Sequence, residues 1–307
     1  MKPVRTLAEA LRAGTLVLDG GLSNQLEAQG CDLSDALWSA RLLADGPEQI
    51  EAAHAAYVRA GARVVTTASY QATFEGFARR GVSPAGTERL LGRSVELARE
   101  AAERVGAEVW VAASVGPYGA MLADGSEYRG RYGLSVRELA RFHRPRAEAL
   151  AAAGPDVLAL ETVPDVDEAE ALLRAVDGCG VPVWLSYTVE GGRTRAGQEL
   201  AEAFAVAAGN DQVVAVGVNC CDPEGVGPAV ELAAAVTGKP VVVYPNSGER
   251  WDAGARGWRG DGTFDPSRAA FWAEGGARLV GGCCRVGPPL VAALAEALAT
   301  GAGGPRE

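Results

Sequence analysis

The stretch Arg278-Leu279-Val280-Gly281-Gly282-Cys283-Cys284 begins as a short apolar strand and ends in two glycines and two adjacent cysteines. A second apolar run, residues 213–218, ends in Asn219-Cys220-Cys221. Four of the six cysteines therefore directly follow two predicted strands. Thiolates displayed at strand ends suit a soft-leaning metal such as zinc. The alternative is that these cysteines are small buried hydrophobes, which is the usual role of a free cysteine.

Eight short apolar runs rich in β-branched residues alternate along the chain with segments of helical spacing. This alternation predicts βαβ units around a parallel sheet, and eight units favour a closed barrel over an open sheet. We therefore expect an α/β protein with a single (β/α)8 TIM-type barrel over residues 1–300 and a flexible tail at 301–307. The predicted strands are residues 16–18, 63–67, 109–113, 157–160, 183–187, 213–218, 241–244 and 278–280.

Polar residues cluster at one end of the predicted strands. In a barrel of this type the residues that follow each strand converge on one face, and active sites form there. Here that face collects carboxylates, amides, hydroxyls and thiols, whereas the opposite strand ends carry mostly Gly, Pro and Ala. We therefore expect the active site at the C-terminal ends of the strands. The stretches concerned are residues 19–21, 67–71, 114–118, 161–162, 187–188, 219–221, 244–248 and 282–284.

The paired cysteines could form either of two kinds of metal site. Cys220, Cys283 and Cys284 would form an open three-thiolate site for Zn2+, with one position left for substrate. Adding Cys221 would close the site with four thiolates, which is typical of a structural zinc. Adjacent strand residues face opposite ways, so both members of a pair bind one ion only where the backbone turns. Gly281-Gly282 allows such a turn at strand eight. At strand six we favour Cys220 as the ligand and Cys221 as a packing residue.

Thiolate ligands make zinc a poor Lewis acid, so this donor set suits a substrate thiol better than a water molecule. Zinc removes the proton of a bound thiol at neutral pH, while the anionic ligands keep its sulfur nucleophilic. This predicts attack by a thiolate on an electrophilic carbon, with no catalytic residue beyond the zinc-activated substrate thiolate. Asp19 and Glu161 are candidates to hold a substrate ammonium group by charge-assisted hydrogen bonds. The alternative for both is N-capping or a solvated loop carboxylate.

Composition narrows the classes of function. The net charge of −10 argues against a nucleic-acid or anionic-membrane partner, and no apolar run reaches the roughly 18 residues of a membrane span. The N-terminus lacks the apolar stretch of a signal peptide, so we expect reduced thiols and a cytoplasmic protein. With two lysines, a Schiff-base aldolase or lyase has no obvious nucleophile. A monomer or small homo-oligomer is expected.

The two histidines exclude a metal site built from three or more histidines. His54 lies on the apolar stripe of a predicted helix, residues 47–61, and is interpreted as a core histidine whose hydrogen bonds are satisfied. His143 lies on a second predicted helix, residues 136–153, and is assigned no function. Pro145 is expected to kink or split that helix.

The strand-end motifs together resemble the homocysteine S-methyltransferases, over nearly the whole chain. The resemblance implies a zinc-dependent barrel that methylates L-homocysteine to methionine, with Cys220, Cys283 and Cys284 as zinc ligands. It also implies that Asp19 and Glu161 hold the homocysteine amino group, with Gly20 and Gly21 in the same substrate-binding stretch. Asn246 stands where a related barrel has an oxygen ligand to zinc in the absence of substrate. The matching stretches are residues 19–22, 67–73, 114–120, 122–128, 161–164, 217–220, 244–249 and 281–284.

The motifs look like those of members that use S-methylmethionine, often with S-adenosylmethionine as a poorer donor. A sulfonium donor fits the aromatic residues of two long segments, 116–133 and 245–262, since aromatic rings attract cations. The sequence does not identify which of these aromatic residues contacts the sulfonium. The alternative function is a small-molecule-binding barrel with a structural four-cysteine zinc site and no methyl transfer.

Overall fold

Eight parallel strands form one sheet in the computed structural model, which describes residues 2–252 and 257–301, with the backbone alone at 250–252, 257–258 and 301. Helices follow the strands along the chain, as the alternating pattern predicted. The predicted α/β class and single (β/α)8 barrel are confirmed. The strands are β1 Leu16–Val17, β2 Val64–Thr66, β3 Trp110–Val115, β4 Val157–Val163, β5 Val183–Tyr187, β6 Val213–Asn219, β7 Val241–Tyr244 and β8 Ala277–Val280.

The sheet closes on itself between its first two strands. The strand order is β1-β8-β7-β6-β5-β4-β3-β2, and Leu18 pairs in parallel with Val64 to join the two ends. Asp19 N donates to the Val64 carbonyl at 3.1 Å, and Arg63 N donates to the Val17 carbonyl at 2.8 Å. Asp19 therefore lies on the seam of the barrel, the junction between β1 and β2 where the sheet closes.

The observed strands match the predicted runs to within a few residues, with one consequential difference in β4. This strand continues to Val163, so Glu161 and Thr162 lie within it instead of after it. Its register with β5 shifts between Leu160 and Val163, and Thr162 has φ of 58°. Because a non-glycine residue seldom adopts positive φ, no local pattern indicates this irregularity.

Thirteen α-helices surround the sheet in the described part of the chain. Pro145 lies inside α8, which remains one continuous helix, so the expected split does not occur. The predicted loop 116–133 contains α7 and a 3-10 turn, Ser126–Tyr128. The helices are α1 Leu7–Ala13, α2 Leu22–Ala28, α3 Leu42–Asp45, α4 Pro47–Arg59, α5 Phe74–Ala78, α6 Pro84–Val105, α7 Tyr118–Leu122, α8 Val136–Ala152, α9 Val166–Val176, α10 Leu200–Ala205, α11 Val226–Thr237, α12 Arg268–Glu274 and α13 Pro288–Gly301.

Two apolar layers explain where the barrel can hold a site. The outer faces of the strands pack against the helices, while Trp110, Trp184 and Leu279 belong to a second cluster inside the barrel. Leu7 and Leu11 of α1 join that inner cluster and close the N-terminal end of the barrel. Since this end is filled with apolar side chains, a polar site has room only at the C-terminal end.

His54 in α4 is fully buried, as predicted, but the prediction that its hydrogen bonds are satisfied is wrong. Neither ring nitrogen has a hydrogen-bond partner in the described part of the chain. Burial lowers the pKa of His54 to about 4, so the ring stays neutral in its apolar surroundings.

No helix within residues 2–252 and 257–301 combines the length and the apolar character that crossing a bilayer requires.

The second aromatic segment, residues 245–262, forms a short antiparallel hairpin of Arg250–Asp252 and Gly257–Arg259. The side chains of Trp251 and Trp258 lie outside the described parts of the chain. The expected flexible tail also lies outside them from residue 302 onward.

Candidate metal centre and substrate pocket

Three cysteines meet at the open end of the barrel, in the segments that follow β6 and β8. The sulfurs of Cys220 and Cys284 are 3.8 Å apart, and those of Cys283 and Cys284 are 4.0 Å apart. All three sulfurs lie within 4.8 Å of one another. A tetrahedral zinc with bonds of about 2.3 Å sets its thiolate sulfurs roughly 3.8 Å apart, so the spacing fits that ion.

The backbone at Cys220 separates the two members of its pair. Cys220 has φ of 49°, so the chain turns at this residue, and its N–H donates to the Tyr244 carbonyl at 3.1 Å. Cys221 instead packs in the outer apolar core with 2% exposure. Burial raises the pKa of the Cys221 thiol well above its ordinary value. Cys221 is therefore placed as a packing residue and is not among the three clustered thiols.

The glycines before Cys283 permit close packing instead of the turn that the sequence suggested. Neither Gly281 nor Gly282 has positive φ, whereas Arg285, after the cysteines, has φ of 67°. A Cβ on Gly282 would lie 2.1 Å from Cγ1 of Val286. The expectation of a glycine turn at strand eight is therefore wrong, because the turn falls at Cys284-Arg285.

The thiols also interact with one another. Hydrogen bonds from Cys283 and then Cys284 hold the pKa of Cys220 well below its ordinary value. The Asn246 side chain contributes in the same direction, and its Oδ1 accepts from the Cys284 N–H at 3.1 Å. Asn246 thus lies directly at the thiol cluster and helps to fix the Cys284 backbone.

Asp19 is a buried carboxylate with 5% exposure, not a solvated loop residue. It accepts from Thr66 N at 2.8 Å and from Thr66 Oγ1 at 3.1 Å. Burial, together with a smaller contribution from the nearby Glu161, raises the pKa of Asp19 to about 8 despite these bonds. The N-cap of α2 is Gly21, so Asp19 is not a helix cap either.

Gly20 and Gly21 bring the segment after β1 against the segment that carries the cysteines. A Cβ on Gly21 would lie 2.6 Å from the Cys283 carbonyl oxygen, and one on Gly20 would lie 2.2 Å from that of Val286. Side chains at these positions would push the two segments apart. The two glycines therefore set the distance between Asp19 and the thiol cluster.

Glu161 is the second buried carboxylate, with 6% exposure. Its carboxylate accepts hydrogen bonds from Ser114 Oγ and, at 2.8 Å, from the Tyr244 hydroxyl. Burial raises the pKa of Glu161 to about 7, and the charge of the Cys220 thiolate acts in the same direction. Two buried carboxyl groups with raised pKa values form a site that a cation would stabilise in the ionised state.

Sequence reasoning missed specific residues of the segment after β3. The Tyr128 hydroxyl lies 3.1 Å from the Cys220 sulfur, and the Arg195 guanidinium carbon lies 5.5 Å from the Tyr128 ring centroid. Glu127, with 7% exposure, precedes Tyr128. The motif 122–128 contained a sequence signal for Glu127 and Tyr128, and the aromatic segment 116–133 contained a second one for Tyr128, whereas Arg195 had none.

A buried polar network anchors this segment and gives His143 a structural role. His143 Nε2 and the Tyr118 N–H both bind Glu168 Oε1, at 2.9 Å and 2.5 Å. Arg146 lies 2.8 Å from His143 Nδ1 and donates to the Gly116 carbonyl. The backbone that leaves β3 is thereby fixed to α8 and α9.

Comparisons with known proteins agree with this geometry. The family model described as homocysteine S-methyltransferase matches residues 16–298. A homocysteine S-methyltransferase from Escherichia coli is 46% identical over 303 residues, covering 95% of this chain and 97% of that protein. One from Arabidopsis thaliana is 42% identical, covering 93% and 94%. The crystal structure of the metallated form of the homocysteine methyltransferase MmuM from Escherichia coli has a TM-score of 0.83 at 44% identity, covering 94% of this chain and 99% of that one. The resemblance inferred from the motifs is confirmed: the chain belongs to the homocysteine S-methyltransferase family.

Proposed function

We propose that the protein transfers a methyl group from a sulfonium donor to the thiolate of L-homocysteine and so gives methionine. S-methylmethionine is the preferred donor in this proposal, and S-adenosylmethionine is the second. The observation that carries the proposal is the cluster of three thiols at the open end of a barrel from this family.

Zn2+ held by Cys220, Cys283 and Cys284 is part of the proposal. The sulfur spacings of 3.8 Å and 4.0 Å fit tetrahedral thiolate coordination. When bound, zinc supplies a positive charge that favours the thiolate form of a substrate thiol at neutral pH. The exclusion of Cys221 from the cluster supports an open site over the closed four-cysteine alternative.

Asp19 and Glu161 are proposed to hold the homocysteine ammonium group. Both are buried beside the cluster, and both have raised pKa values that a cation would bring down. Close packing at Gly20 and Gly21 supports this role, because it brings the segment after β1 against the segment that carries the cysteines. Asn246 is proposed to offer its side-chain oxygen beside the metal when substrate is absent, since that oxygen already lies at the Cys284 N–H.

We also propose that the domain of residues 1–300 acts as a monomer or small homo-oligomer in the cytoplasm, without a nucleic-acid or membrane partner. The net charge of −10 supports the last point, since both surfaces are anionic.

The test is a methyl-transfer assay on zinc-loaded protein with homocysteine, run with S-methylmethionine, S-adenosylmethionine and betaine in parallel. We expect turnover with the sulfonium donors, little with betaine, and none after Cys283→Ser. Absence of transfer from every donor, in protein holding one tightly bound zinc, would favour the binding-barrel alternative.

A further inference from the structure

Glu127 is a buried carboxylate that no interaction described so far explains. It is 7% exposed, and its Oε2 has no hydrogen-bond partner in the described part of the chain. Its backbone is held tightly, because a Cβ on Gly119 would lie 2.4 Å from Glu127 N. Buried carboxylate oxygens in folded proteins are normally paired, so an unpaired one marks a position that suits a hydrogen-bond donor.

The surroundings of Glu127 are those of the active site. The hydroxyl of the next residue, Tyr128, lies 3.1 Å from the Cys220 sulfur, which places Glu127 on the order of 10 Å from that sulfur. The charged groups that act on Glu127 are the Cys220 thiolate and Asp124, and both are negative. Burial raises the pKa of Glu127 to about 7. A positively charged group of a ligand would therefore stabilise the ionised form of this carboxyl group.

Glu127 lies on a different element from the proposed acceptor carboxylates. Asp19 and Glu161 lie on the seam and on a strand of the barrel, whereas Glu127 lies in the segment after β3. The charges of Glu127 and Glu161 both raise the pKa of the buried Tyr70 phenol, so both carboxylates lie in the neighbourhood of Tyr70. A reaction between two amino acids brings two ammonium groups into the site, and a buried carboxylate is a suitable partner for each.

The donor carries two positive charges, and the reaction decides which one a carboxylate should face. The homocysteine thiolate forms a bond to the methyl carbon, and the electron pair of the breaking bond returns to the donor sulfur. The sulfonium charge is thus consumed, so a carboxylate beside it would stabilise the ground state more than the transition state. The α-ammonium keeps its charge throughout, and a carboxylate there binds the donor without this penalty.

We propose that Glu127 binds the α-ammonium group of the methyl donor and so selects sulfonium donors built on an amino acid. This inference rests on the sulfonium-dependent function proposed above and names the donor side of the same site. S-methylmethionine and S-adenosylmethionine both carry this ammonium group, whereas betaine has no primary amine to offer.

The test compares S-methylmethionine with 4-dimethylsulfoniobutanoate, which is the same donor without its amino group. Wild-type enzyme should prefer S-methylmethionine in kcat/KM. In Glu127→Gln, kcat/KM for S-methylmethionine should fall about 10- to 100-fold, the range for losing a hydrogen bond to a charged group. The value for the deaminated donor should stay the same or rise. Glu127→Asp, which keeps the charge, should retain more of the preference than Glu127→Gln.

Glu161→Gln serves as the matched variant, because it should raise the KM for homocysteine and leave the donor preference intact. An equal loss for both donors in Glu127→Gln would overturn the inference in favour of a structural role. A change confined to the homocysteine KM would place Glu127 on the acceptor side and overturn it too. Failure of wild-type enzyme with every sulfonium would instead refute the proposed function, so the two failures are distinguishable.

Discussion

Replacing Cys221 by Ala should leave zinc binding intact, although this cysteine is adjacent to a proposed ligand. Cys221 is 2% exposed and packs in the outer core, away from the three clustered thiols. Its loss removes one buried methyl-sized group, which costs about 1 kcal/mol of the free energy of unfolding. Cys284→Ala is the matched variant, because it removes a thiol that lies 3.8 Å from Cys220.

The expected loss in Cys284→Ala follows from the binding free energy of a zinc site. A value of about 10–16 kcal/mol shared among four ligands gives roughly 3 kcal/mol for each thiolate. Removal of one should therefore raise the Kd for zinc about 100-fold or more. Cys221→Ala should change this Kd by less than about twofold, because its sulfur contributes no ligand.

Competition with a chromophoric chelator at neutral pH measures both dissociation constants, and urea unfolding in excess chelator measures the stability of each variant without metal. The reasoning is refuted if Cys221→Ala weakens zinc binding as much as Cys284→Ala does. That result would mean that Cys221 reaches the ion and that the site is the closed four-thiolate kind.

Three further predictions concern the buried titratable groups. Glu161→Gln should raise the KM for homocysteine about 10-fold or more by removing a charged partner of the ammonium, and leave that for 4-mercaptobutanoate unchanged in the same assay. Because burial raises the pKa of Asp19 to about 8 and that of Glu161 to about 7, their neutral forms stabilise the metal-free protein at low pH. That stability should be lost progressively as the pH rises from about 4, the ordinary pKa of a carboxyl group, to about 8, and a flat melting temperature between pH 6 and pH 9 would contradict it. His54→Leu should raise the free energy of unfolding by about 1 kcal/mol or more at pH 7, since both ring nitrogens are buried without partners, and a lower urea midpoint would argue against this.

The barrel was predictable because parallel strands buried on both faces are near-continuous apolar runs. The predicted strand at residues 157–160 was too short, because β4 continues through Glu161 and Thr162. There the inward-facing residues become polar. Thr162 also has a positive φ of 58°, which its residue type does not predict. The hydrophobic pattern therefore ends where the site begins.

The candidate thiols were predictable from their positions after two strands, but the turns that orient them were not. Glycines were expected to turn the chain at strand eight, yet the positive φ values fall at Cys220 and Arg285. Gly282 serves instead for close contact with Val286. Such turns are fixed by packing between segments that are distant in sequence, so local residue preferences do not predict them.

The segment after β3 was the least predictable part of the site, and its construction explains why. Its start is fixed by Glu168, which binds the Tyr118 N–H, and by Arg146, which donates to the Gly116 carbonyl. These partners lie on α8 and α9, some 30 and 50 residues further along the chain. Tyr128 thus reaches the thiol cluster, with Glu127 next to it in the chain, because helices on the outside of the barrel position the segment.

The placement of the buried carboxylates suggests how one site distinguishes two similar amino acids. Homocysteine and the donor share an ammonium group and a carboxylate, so these two groups cannot separate them, although the donor also carries the sulfonium charge. In the arrangement proposed, acceptor recognition belongs to the barrel itself, through Asp19 on the seam and Glu161 within β4. Donor recognition belongs to Glu127 in the segment after β3. Substitution of Glu127 can therefore alter the choice of donor without removing a proposed zinc ligand, because those ligands follow β6 and β8.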